Sequence, residues 1–345
     1  MQSPVVAKGI GDRGPPLFIL RSFVLATRHS LGRLWTTCWA YRPQEATLSR
    51  MTIRPALRPG AALLRRDATH LQIGTSPGFV LRDRPGLFSV LRLLDGIRDV
   101  GRIADLAATH FTEFDGDVPA IINELMAAGL VFDARNWDFP GDPRLVGEAR
   151  SASLTGSPPA RLHHRAEFGL CLTTDKASAE LARTTISILA RAGISTTASD
   201  QTHLAVMVSN GEPGRQRFQE AMEARIDHVR VVVEEDRIRI GPLVRPGITP
   251  CINCHDLHRT DWDSAWPALM TQFGASVGFG SPPALCATTQ HVAAATIAAE
   301  VLAYCDDTAG ETTGQCLIVG PHYLDHQSWP VSFHPGCSCT LLAAA

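Results

Sequence analysis

The stretch VRVVVEEDRIRIGPLVRPGITPCINC, residues 229–254, contains the clearest structural signal of this chain. Two apolar runs flank the charged residues 234–237, and this pattern predicts two strands joined by a charged turn. The stretch ends in a Cys-x-x-Cys pair, Cys251 and Cys254, directly after Pro250, a residue that favours turns. The strands and the cysteine pair are therefore expected to form one folded unit.

A second cysteine pair stands in HPGCSC, residues 334–339, roughly 80 residues further along. Structural zinc usually takes four soft ligands that the fold brings together as two short-spaced pairs. Four thiolates leave no open position for water, so such a metal would be structural and not catalytic. We therefore predict a four-cysteine zinc site, with the ligands Cys251, Cys254, Cys337 and Cys339.

Other interpretations of these residues stay open at this point. A Cys-x-x-Cys pair can be a redox centre, although such a pair usually opens a helix in a thioredoxin-like unit. The four cysteines can also be unrelated free thiols. His255 and His258 can replace a cysteine as ligand, or can shape the knuckle or lie on the surface. His334 is interpreted as a turn residue beside the metal.

The segment after Cys254 is strongly polar. We interpret it as a solvated loop with local ion pairs and a helix cap at Asp263. Its charged and hydroxyl residues are Asp256, Arg259, Thr260, Asp261 and Asp263.

The sequence shows no motif of active chemistry. Residues 173–180, TTDKASAE, follow the first strand of the second half, and they lack the Gly-rich turn at which backbone amides meet a phosphate. Walker, G-x-S-x-G and H-E-x-x-H motifs are also absent from the sequence. The chain has nine cysteines, an odd number, which argues against a disulfide scaffold. Four of them have apolar neighbours and are interpreted as small buried residues: Cys171, Cys286, Cys305 and Cys316.

Residues 161–345 alternate between strand and helix patterns. Examples are the strand pattern of residues 166–174, the amphipathic helix pattern of residues 176–194 and the buried strand pattern of residues 202–210. A βαβα order predicts an α/β domain with a mainly parallel sheet covered by helices.

Residues 52–135 predict a small separate domain, a winged helix. Alternating strand patterns come first, three short helical patterns follow, and residues 130–133 form a last strand pattern. Winged helices often bind DNA, but this segment lacks the basic recognition face that DNA binding requires. Peptide binding is therefore preferred over nucleic-acid binding.

The two remaining segments have little periodicity. Residues 1–51 are expected to be a disordered extension. Alternatively they form a targeting arm, or translation starts at Met51; residues 1–50 carry seven Lys/Arg and two acidic residues. Residues 136–160 are rich in Pro, Gly and Ser and predict a linker.

Composition limits the classes of partner. A net charge of −2 over 345 residues gives no electrostatic reason to expect nucleic acid or an anionic membrane. No apolar run reaches the roughly 18 residues that a membrane span needs. The first apolar run, residues 15–26, has no convincing signal-peptidase site after it. We therefore predict a cytoplasmic protein without a membrane or nucleic-acid partner.

Residues 229–254, together with HPGCSC, resemble the ThiF-like, ubiquitin-activating-enzyme-like fold, in which a strand pair leads into a zinc knuckle completed near the C-terminus. Residues 250–267 are similar to actinobacterial cyclodehydratase-related, leader-peptide-binding proteins of thiazole/oxazole-modified (TOMM) peptide biosynthesis. Residues 58–132 resemble the PqqD-like recognition element, a small winged helix that captures a leader peptide. The resemblances together cover about residues 52–345.

The resemblance implies a Rossmann-like fold with the four cysteines as the zinc knuckle. Active ThiF-like enzymes bind ATP and magnesium through a Gly-rich loop and acidic residues and adenylate a peptide C-terminus. Residues 171–180, CLTTDKASAE, replace that loop here, so the ThiF-like domain is degenerate and adenylation is not expected. In azole-forming systems a separate YcaO-type protein or domain uses ATP. A homodimer is expected by analogy with other ThiF-like proteins.

The resemblance therefore implies a non-catalytic scaffold that binds a precursor (leader) peptide and presents it to a modifying enzyme. The leader is expected to add as a strand beside residues 69–74, THLQIG, and to pack on the helix of residues 118–126. Two alternatives remain. One is an ATP-dependent adenylyltransferase or cyclodehydratase component that uses an unrecognised loop. The other is a regulatory protein-binding module.

Overall fold

The computed structural model describes residues 53–75, 78–136, 142–152, 158–196, 201–276, 283–321 and 326–343. All of them belong to one compact unit, Ser49–Ala345. The predicted disordered extension, residues 1–51, lies outside the described residues.

The N-terminal part begins with short antiparallel strands. Strands β2, β3 and β4 form a three-stranded sheet in which β3 is central, and β1 pairs with the later strand β5. Side chains of β3 alternate between half-buried and fully buried, as expected for a strand with one face on a core. The bounds are β1 Pro55–Leu57, β2 Leu63–Arg65, β3 His70–Ile73, β4 Phe79–Arg82 and β5 Val131–Asp133.

Three helices cover this sheet: α1 Leu87–Leu91, α2 Val100–His110 and α3 Val118–Ala127. Asp99 and Asp117 cap α2 and α3 by accepting hydrogen bonds from backbone amides of the first turn. Apolar residues at helical spacing bury one face of each helix against Leu71 and Ile73 of β3. The structure therefore has the predicted order of strands, three helices and a closing strand, with four short strands before the first helix.

The predicted linker is not a plain linker where the structure describes it. Residues 143–145 form a 3-10 turn that leads into α4, Val146–Ala152, and α5, Pro158–Glu167, follows. Ala149 is fully buried, and Glu148 accepts a 2.8 Å hydrogen bond from Arg165 Nη1. Contacts with distant residues fix this helix, and composition alone does not reveal them.

The C-terminal part is built on a six-stranded sheet in the order β6-β7-β8-β9-β10-β11. Strand β7 pairs in parallel with β6 and with β8. The pairs β8–β9, β9–β10 and β10–β11 are antiparallel. The bounds are β6 Leu170–Thr174, β7 Leu204–Asn210, β8 Asp227–Glu234, β9 Arg237–Val244, β10 Gln315–Val319 and β11 His326–Pro330.

The expected mainly parallel sheet is therefore wrong, because three of its five strand pairs are antiparallel. The antiparallel pairing of β8 and β9 results from the two-residue turn at Glu235 and Asp236, which returns the chain directly into the neighbouring strand. Parallel strands need a longer crossover, and β6, β7 and β8 have one: α6 Ala179–Arg191 and α7 Gln216–Glu223 stand between them.

The remaining helices are α8 Ile252–Trp262, α9 Trp266–Ser276 and α10 Ala287–Cys305. The long helix α10 packs on α6 and on β9. A continuous apolar core joins these helices to the sheet through fully buried residues that include Leu189, Val206, Val231, Ile240 and Ala293. A smaller core around Phe218 and Ile252 contains three of the four paired cysteines. Among the described residues, none of the helices has the length and apolar character needed to cross a bilayer.

The glycine in the IGPLV part of the opening stretch is Gly241, and the backbone at this position requires a glycine. Its φ is +99°, and a Cβ built there would lie 2.8 Å from the carbonyl oxygen of Gln315. A side chain at this position would therefore strain the backbone and push β10 away from β9. The glycine lets the two antiparallel strands approach at the point where β9 turns towards the cysteine pair.

Candidate metal centre and the adjoining cleft

The two cysteine pairs meet in space as the sequence predicted. The Sγ atoms of Cys251, Cys254, Cys337 and Cys339 all lie within 4.8 Å of one another. Three of the separations are 3.9 Å for 251–254, 3.6 Å for 251–337 and 3.5 Å for 254–339. A tetrahedral site with metal–sulfur bonds of about 2.3 Å holds its sulfurs about 3.8 Å apart. The four thiols therefore fit a tetrahedral metal ion.

Each pair comes from a local turn. Cys251 is the N-cap residue of α8 and Cys254 lies in its first turn, whereas Cys339 begins a 3-10 turn, Cys339–Ala343. Backbone and side-chain amides surround the sulfurs: Asn253 Nδ2 donates to Cys337 Sγ at 3.3 Å, and the His334 amide donates to Cys254 Sγ at 3.4 Å. Such donors stabilise thiolates, which are the form that binds metal.

Burial affects the protonation of these thiols. Removal from water raises the pKa of Cys251, and it raises the pKa of Cys339 to about 11. Burial acts in the same sense on Cys337, but hydrogen bonds, first of all from Asn253, lower its pKa to about 7. Thiols that resist ionisation next to one another are costly to deprotonate without a cation. A bound metal would supply that cation and displace the protons.

The meeting of all four cysteines at one point is not expected from the two other interpretations, a redox pair and unrelated free thiols. An isolated redox pair requires neither Cys337 nor Cys339, and unrelated free thiols require no common centre.

The four cysteines that were interpreted as small buried residues divide into two groups. Cys305 and Cys316 are buried, but Cys171 and Cys286 are exposed, so that interpretation was wrong for these two. Cys171 lies on β6, an edge strand, and Cys286 is the N-cap residue of α10.

A second group with possible ligand atoms, His258, Asp261 and His334, lies beside the cysteines. Its nitrogens already have partners. His334 Nδ1 accepts a hydrogen bond from the Gly336 amide at 2.9 Å, so its Nε2 carries the proton and donates to Asp261 at 2.8 Å. His258 Nε2 lies 3.2 Å from the carbonyl oxygen of Ser332. These contacts join α8 to the loop before Cys337, and a metal would have to break them.

The polar segment after Cys254 is helical, so its interpretation as a solvated loop was wrong. Residues 252–262 form α8, and Asp263 ends this helix while its side chain accepts from the Ala265 amide at 3.0 Å. The physical reason is that the polar side chains are satisfied by residues from other elements. His255, one of the two histidines considered as ligands, is buried between Asp256 at 3.1 Å and Arg239 at 3.4 Å.

A largely buried cluster of charged residues lies next to the four cysteines; we call it the arginine cluster. Its members are Arg215, Arg230, Arg239, Glu212, Glu234 and Asp256. Glu212 accepts from Arg215 at 2.7 Å and pairs with Arg230 at 3.4 Å and with Arg239. Asp256 receives two hydrogen bonds from Arg215, at 2.6 and 3.1 Å, and Glu234 pairs with Arg239. Three cations and three anions therefore neutralise one another inside the domain.

The pKa values reflect this pairing. Burial would raise the pKa of Glu212, but Arg230, Arg239 and Arg215 together hold it well below its ordinary value. The pKa of Asp256 is lowered too, by a hydrogen bond with His255 and by Arg215, against the effect of burial. Burial, followed by the charge of Arg230, lowers the pKa of His255 to about 3, so this imidazole is neutral at pH 7.

Sequence reasoning missed this cluster although a signal was present. Arg230 and Arg239 stand inside the apolar runs of β8 and β9, and both are buried. A sheet with helices on its faces has no solvent-exposed face in its central strands. A charged residue in such a strand must therefore be paired, and that rule would have predicted carboxylates near both arginines.

An open cleft of about 350 Å³ adjoins the cluster. Its floor contains Arg239 and His255, and its walls contain Arg259 and the apolar residues Trp266, Met270, Ile318 and Trp329. Glu234, Glu235 and Arg237 lie at its side. The cleft is thus formed by α8 and α9 on one side and by β9, β10 and β11 on the other.

The turn between β6 and α6 is the position at which the sequence lacks a Gly-rich loop. Asp175 occupies it with its own carboxylate: Oδ1 accepts from the Ser178 amide at 2.8 Å and Oδ2 from the Asn210 amide at 2.6 Å. Lys176 is exposed beside it. The Asp175 carboxylate therefore occupies the amide of Ser178, the N-cap residue of α6, and the amide of Asn210 at the end of β7.

No protein-family model and no curated protein sequence matches this chain. Several solved structures share its fold. A heterocyclase in complex with substrate and cofactor has a TM-score of 0.60 at 18% identity, and it matches 83% of this chain and 39% of its own. The heterocyclase TruD has a TM-score of 0.59 at 16% identity, with 83% and 42% covered.

Escherichia coli MccB, solved with AMPCPP and MccA, has a TM-score of 0.56 at 11% identity, with 83% of this chain and 99% of MccB covered. At these identities the likeness shows the fold. This chain therefore has an α/β fold that the two heterocyclases and MccB share. The chain spans well under half of the length of the two heterocyclases.

Proposed function

We propose that this protein is a non-catalytic scaffold that binds the leader of a ribosomally made precursor peptide and presents it to a separate, YcaO-type enzyme of azole formation. In this proposal the N-terminal PqqD-like domain binds the leader, and the ThiF-like domain carries a structural Zn²⁺ on its four cysteines. The shared fold with a heterocyclase, which was solved with substrate and cofactor, supports this assignment. The matched part is 39% of that heterocyclase.

The observation that carries the non-catalytic part is the Asp175 turn. A nucleotide phosphate needs backbone amides at the N-terminus of the first helix. Here the Asp175 carboxylate accepts from the amide of Ser178 at the N-cap of that helix and from the Asn210 amide of the adjacent strand, and its charge repels an incoming phosphate. MccB, which has been solved with AMPCPP, shares the fold, but the proposal does not transfer its nucleotide binding to this chain.

Zinc is proposed as the metal because of its ligand chemistry. Four thiolates in tetrahedral arrangement are the typical donors of structural zinc, and hard cations such as Mg²⁺ prefer oxygen ligands. The site is closed by four protein ligands, so the ion would hold the start of α8 to the C-terminal 3-10 turn without taking part in a reaction.

The expected leader-binding strand needs a correction. Residues 69–74 include β3, which is the central strand of its sheet and is paired on both sides. An added peptide strand can pair only with β2 or β4. We propose β4, because it offers four residues against three and, among the described residues, pairs only with β3. Val80 of β4 is 44% exposed, which leaves an apolar contact for the peptide.

Leader binding is tested with fluorescently labelled peptides made from the short reading frames beside this gene, titrated against the purified chain. Val80→Glu is expected to weaken the binding of one of these peptides at least about tenfold, or about 1.4 kcal/mol. Leu64→Glu, on β2 at a similar exposure of 39%, is the matched control and should change it little. Loss of binding in the control alone would move the site to β2, and failure of every peptide would favour the regulatory module.

Nucleotide chemistry is tested by ATP–pyrophosphate exchange with the same protein, with and without the bound peptide. No exchange above the buffer rate is expected. Robust exchange would establish the adenylyltransferase alternative and overturn the scaffold.

A further inference from the structure

Arg259 is a cation without an acceptor among the described residues. Its guanidinium carbon lies 4.1 Å from the ring centroid of Trp329, 4.3 Å from that of Trp266 and 5.2 Å from that of Trp262. Its Nε and Nη1 atoms are buried and donate no hydrogen bond within the described part of the chain. Three indoles therefore hold this guanidinium in place while its hydrogen-bonding capacity is unused.

The charges around Arg259 make this arrangement costly. Burial lowers its pKa, and the positive charge of Arg239 lowers it further. Glu234 and Asp263 attract it, but no described carboxylate oxygen comes within the 4.0 Å of an ion pair. The three carboxylates of the arginine cluster, 212, 234 and 256, are already paired with Arg215, Arg230 and Arg239. Arg259 has no such partner among the described residues, and buried donors without acceptors destabilise a fold.

The cleft described above brings the unpaired guanidinium of Arg259 next to an apolar surface. Arg259 forms part of its wall, and Trp266, Met270 and Trp329 lie beside it. Trp266 is buried and donates from Nε1 to Asp256 at 3.4 Å, which fixes its ring, whereas Trp329 is 39% exposed at the rim. A volume of about 350 Å³ has room for one or two amino-acid side chains.

We propose that this cleft binds a single carboxylate attached to an apolar or aromatic group, as presented by an acidic residue next to an aromatic residue in a peptide. The carboxylate accepts hydrogen bonds from Arg259, and the apolar group packs on Trp266, Met270 and Trp329. This site belongs to the ThiF-like domain, so it goes beyond the proposed leader site on β4 and does not depend on it.

The surrounding charges favour a monoanion. One carboxylate is enough to accept hydrogen bonds from Arg259, whose Nε and Nη1 have no acceptor within the described part of the chain. A triphosphate would bring several negative charges next to Glu234 and Glu235, which lie in the same cleft, and to Asp263, which faces Arg259. Like charges at this range repel, so a nucleotide is disfavoured.

The first test compares small probes on the wild-type chain by isothermal titration calorimetry, with quenching of tryptophan fluorescence as a second readout. Three probes are blocked tetrapeptides: Ala-Glu-Phe-Ala, its neutral form Ala-Gln-Phe-Ala and its small form Ala-Glu-Ala-Ala. The fourth probe is ATP, as the polyanion. Ala-Glu-Phe-Ala is expected to bind at least tenfold more tightly than the other three. Equal binding of the Glu and Gln peptides, no binding of the Glu-Phe peptide at millimolar concentration, or tighter binding of ATP would each overturn the proposal.

The second test uses variants of the full chain. Arg259→Gln should weaken the Glu-Phe peptide at least tenfold, whereas Arg259→Lys should retain part of the affinity. Arg217→Gln is the matched control, because Arg217 is an exposed arginine on the nearby helix α7. Unchanged affinity of Arg259→Gln would overturn the proposal.

A purely structural role for Arg259 predicts a different result. If the unpaired cation serves a ligand, its removal leaves the melting temperature unchanged or raises it and abolishes the peptide-induced rise in melting temperature. If Arg259 supports the fold, Arg259→Gln lowers the melting temperature instead. Should that variant fail to fold, Trp329→Ala at the cleft rim removes the apolar wall and is expected to cost the same affinity. Val80→Glu should not affect these probes, so a failure here and a failure of leader binding are distinguishable.

Discussion

Two parts of α8 belong to polar clusters that differ in how their charges are balanced. At its start, Cys251 and Cys254 join the second cysteine pair, and burial makes Cys251 and Cys339 costly to ionise unless a cation joins the cluster. In its middle, Asp256 joins the arginine cluster, in which carboxylates from the ends of β7 and β8 already neutralise the buried cations. Two neighbouring sites can thus both be polar and buried, while only one of them depends on a group from outside the protein.

This difference determines how each cluster can be disturbed. The thiol cluster should respond to removal of the metal and hardly to mild acid as long as the metal stays bound. The arginine cluster should lose stability when a carboxylate is removed by mutation or neutralised by protonation. Chelators should not change its stability. The predictions test this separation, beginning with the largest expected effect.

Replacement of one buried metal ligand should have the largest effect. Cys254→Ser is expected to lose the metal and to lower the free energy of unfolding of the C-terminal domain by up to about 10 kcal/mol, because metal binding contributes directly to folding. Elemental analysis should find about one zinc per wild-type chain and almost none in the variant, and thermal unfolding measures the loss.

The matched control is Cys171→Ser, which changes an exposed thiol away from the centre. It should retain the zinc and the melting temperature. Wild-type protein that contains no metal and melts unchanged in the presence of a chelator would disprove the metal assignment.

Neutralisation of Glu212 should have the next largest effect. Glu212→Gln leaves the buried Arg230 and Arg239 and the half-exposed Arg215 short of one negative charge, and loss of one partner from a buried ion pair costs about 3–5 kcal/mol. Chemical denaturation measures this loss. The zinc content should stay at the wild-type level, because Glu212 is not a ligand; loss of zinc in this variant would mean that the two clusters are coupled.

The four-cysteine centre could be predicted from the sequence because its information is local. Each pair has a fixed short spacing next to a turn, so the ligands are recognisable without knowledge of the fold. The same holds for β8 and β9, whose apolar runs are separated by charged residues. The mixed sheet was missed since strand direction depends on which connections are turns and which are crossovers.

The arginine cluster and the cleft could not be predicted in this way. Glu212, Arg239 and Asp256 are far apart in the sequence, and each alone resembles a surface residue. Helix α8 was missed for a related reason: its polar residues have no helical amphipathic pattern. Their partners are in several other parts of the fold: Arg215 before α7, Arg230 on β8, Arg239 on β9, and Ser332 and His334. Only the two arginines inside apolar strands indicated that charge had to be buried.

Acid should act on the arginine cluster in a definite direction. The folded-state pKa of Glu212 is well below its ordinary value of 4.5, so the unfolded chain takes up a proton first as the pH falls. The stabilisation from Glu212 is complete above about pH 4.5 and is lost progressively below it. Melting temperatures between pH 6 and pH 3 should fall more steeply in the wild type than in Glu212→Gln; parallel curves would show that Glu212 is not held ionised.

A lone thiol gives the smallest effect and sharpens the contrast with the thiol cluster. Hydrogen bonds from the side chains of Thr288, at 3.0 Å, and Thr289, at 2.9 Å, lower the pKa of the exposed Cys286 to about 7. This thiol needs no metal to ionise, so its alkylation by iodoacetamide should reach half of its maximal rate near pH 7. Mass spectrometry of the labelled peptides measures this rate, with the exposed Cys171 as the reference for access.

Thr288→Ala removes the first of these donors without disturbing the core, because Thr288 is exposed. It should move the half-maximal pH of Cys286 labelling upwards and leave the melting temperature unchanged. The cysteines of the metal centre should stay unlabelled in both proteins until zinc is chelated, since metal-bound thiolates are protected. Labelling of Cys286 at the same pH with and without Thr288 would show that the hydroxyl groups do not stabilise its thiolate.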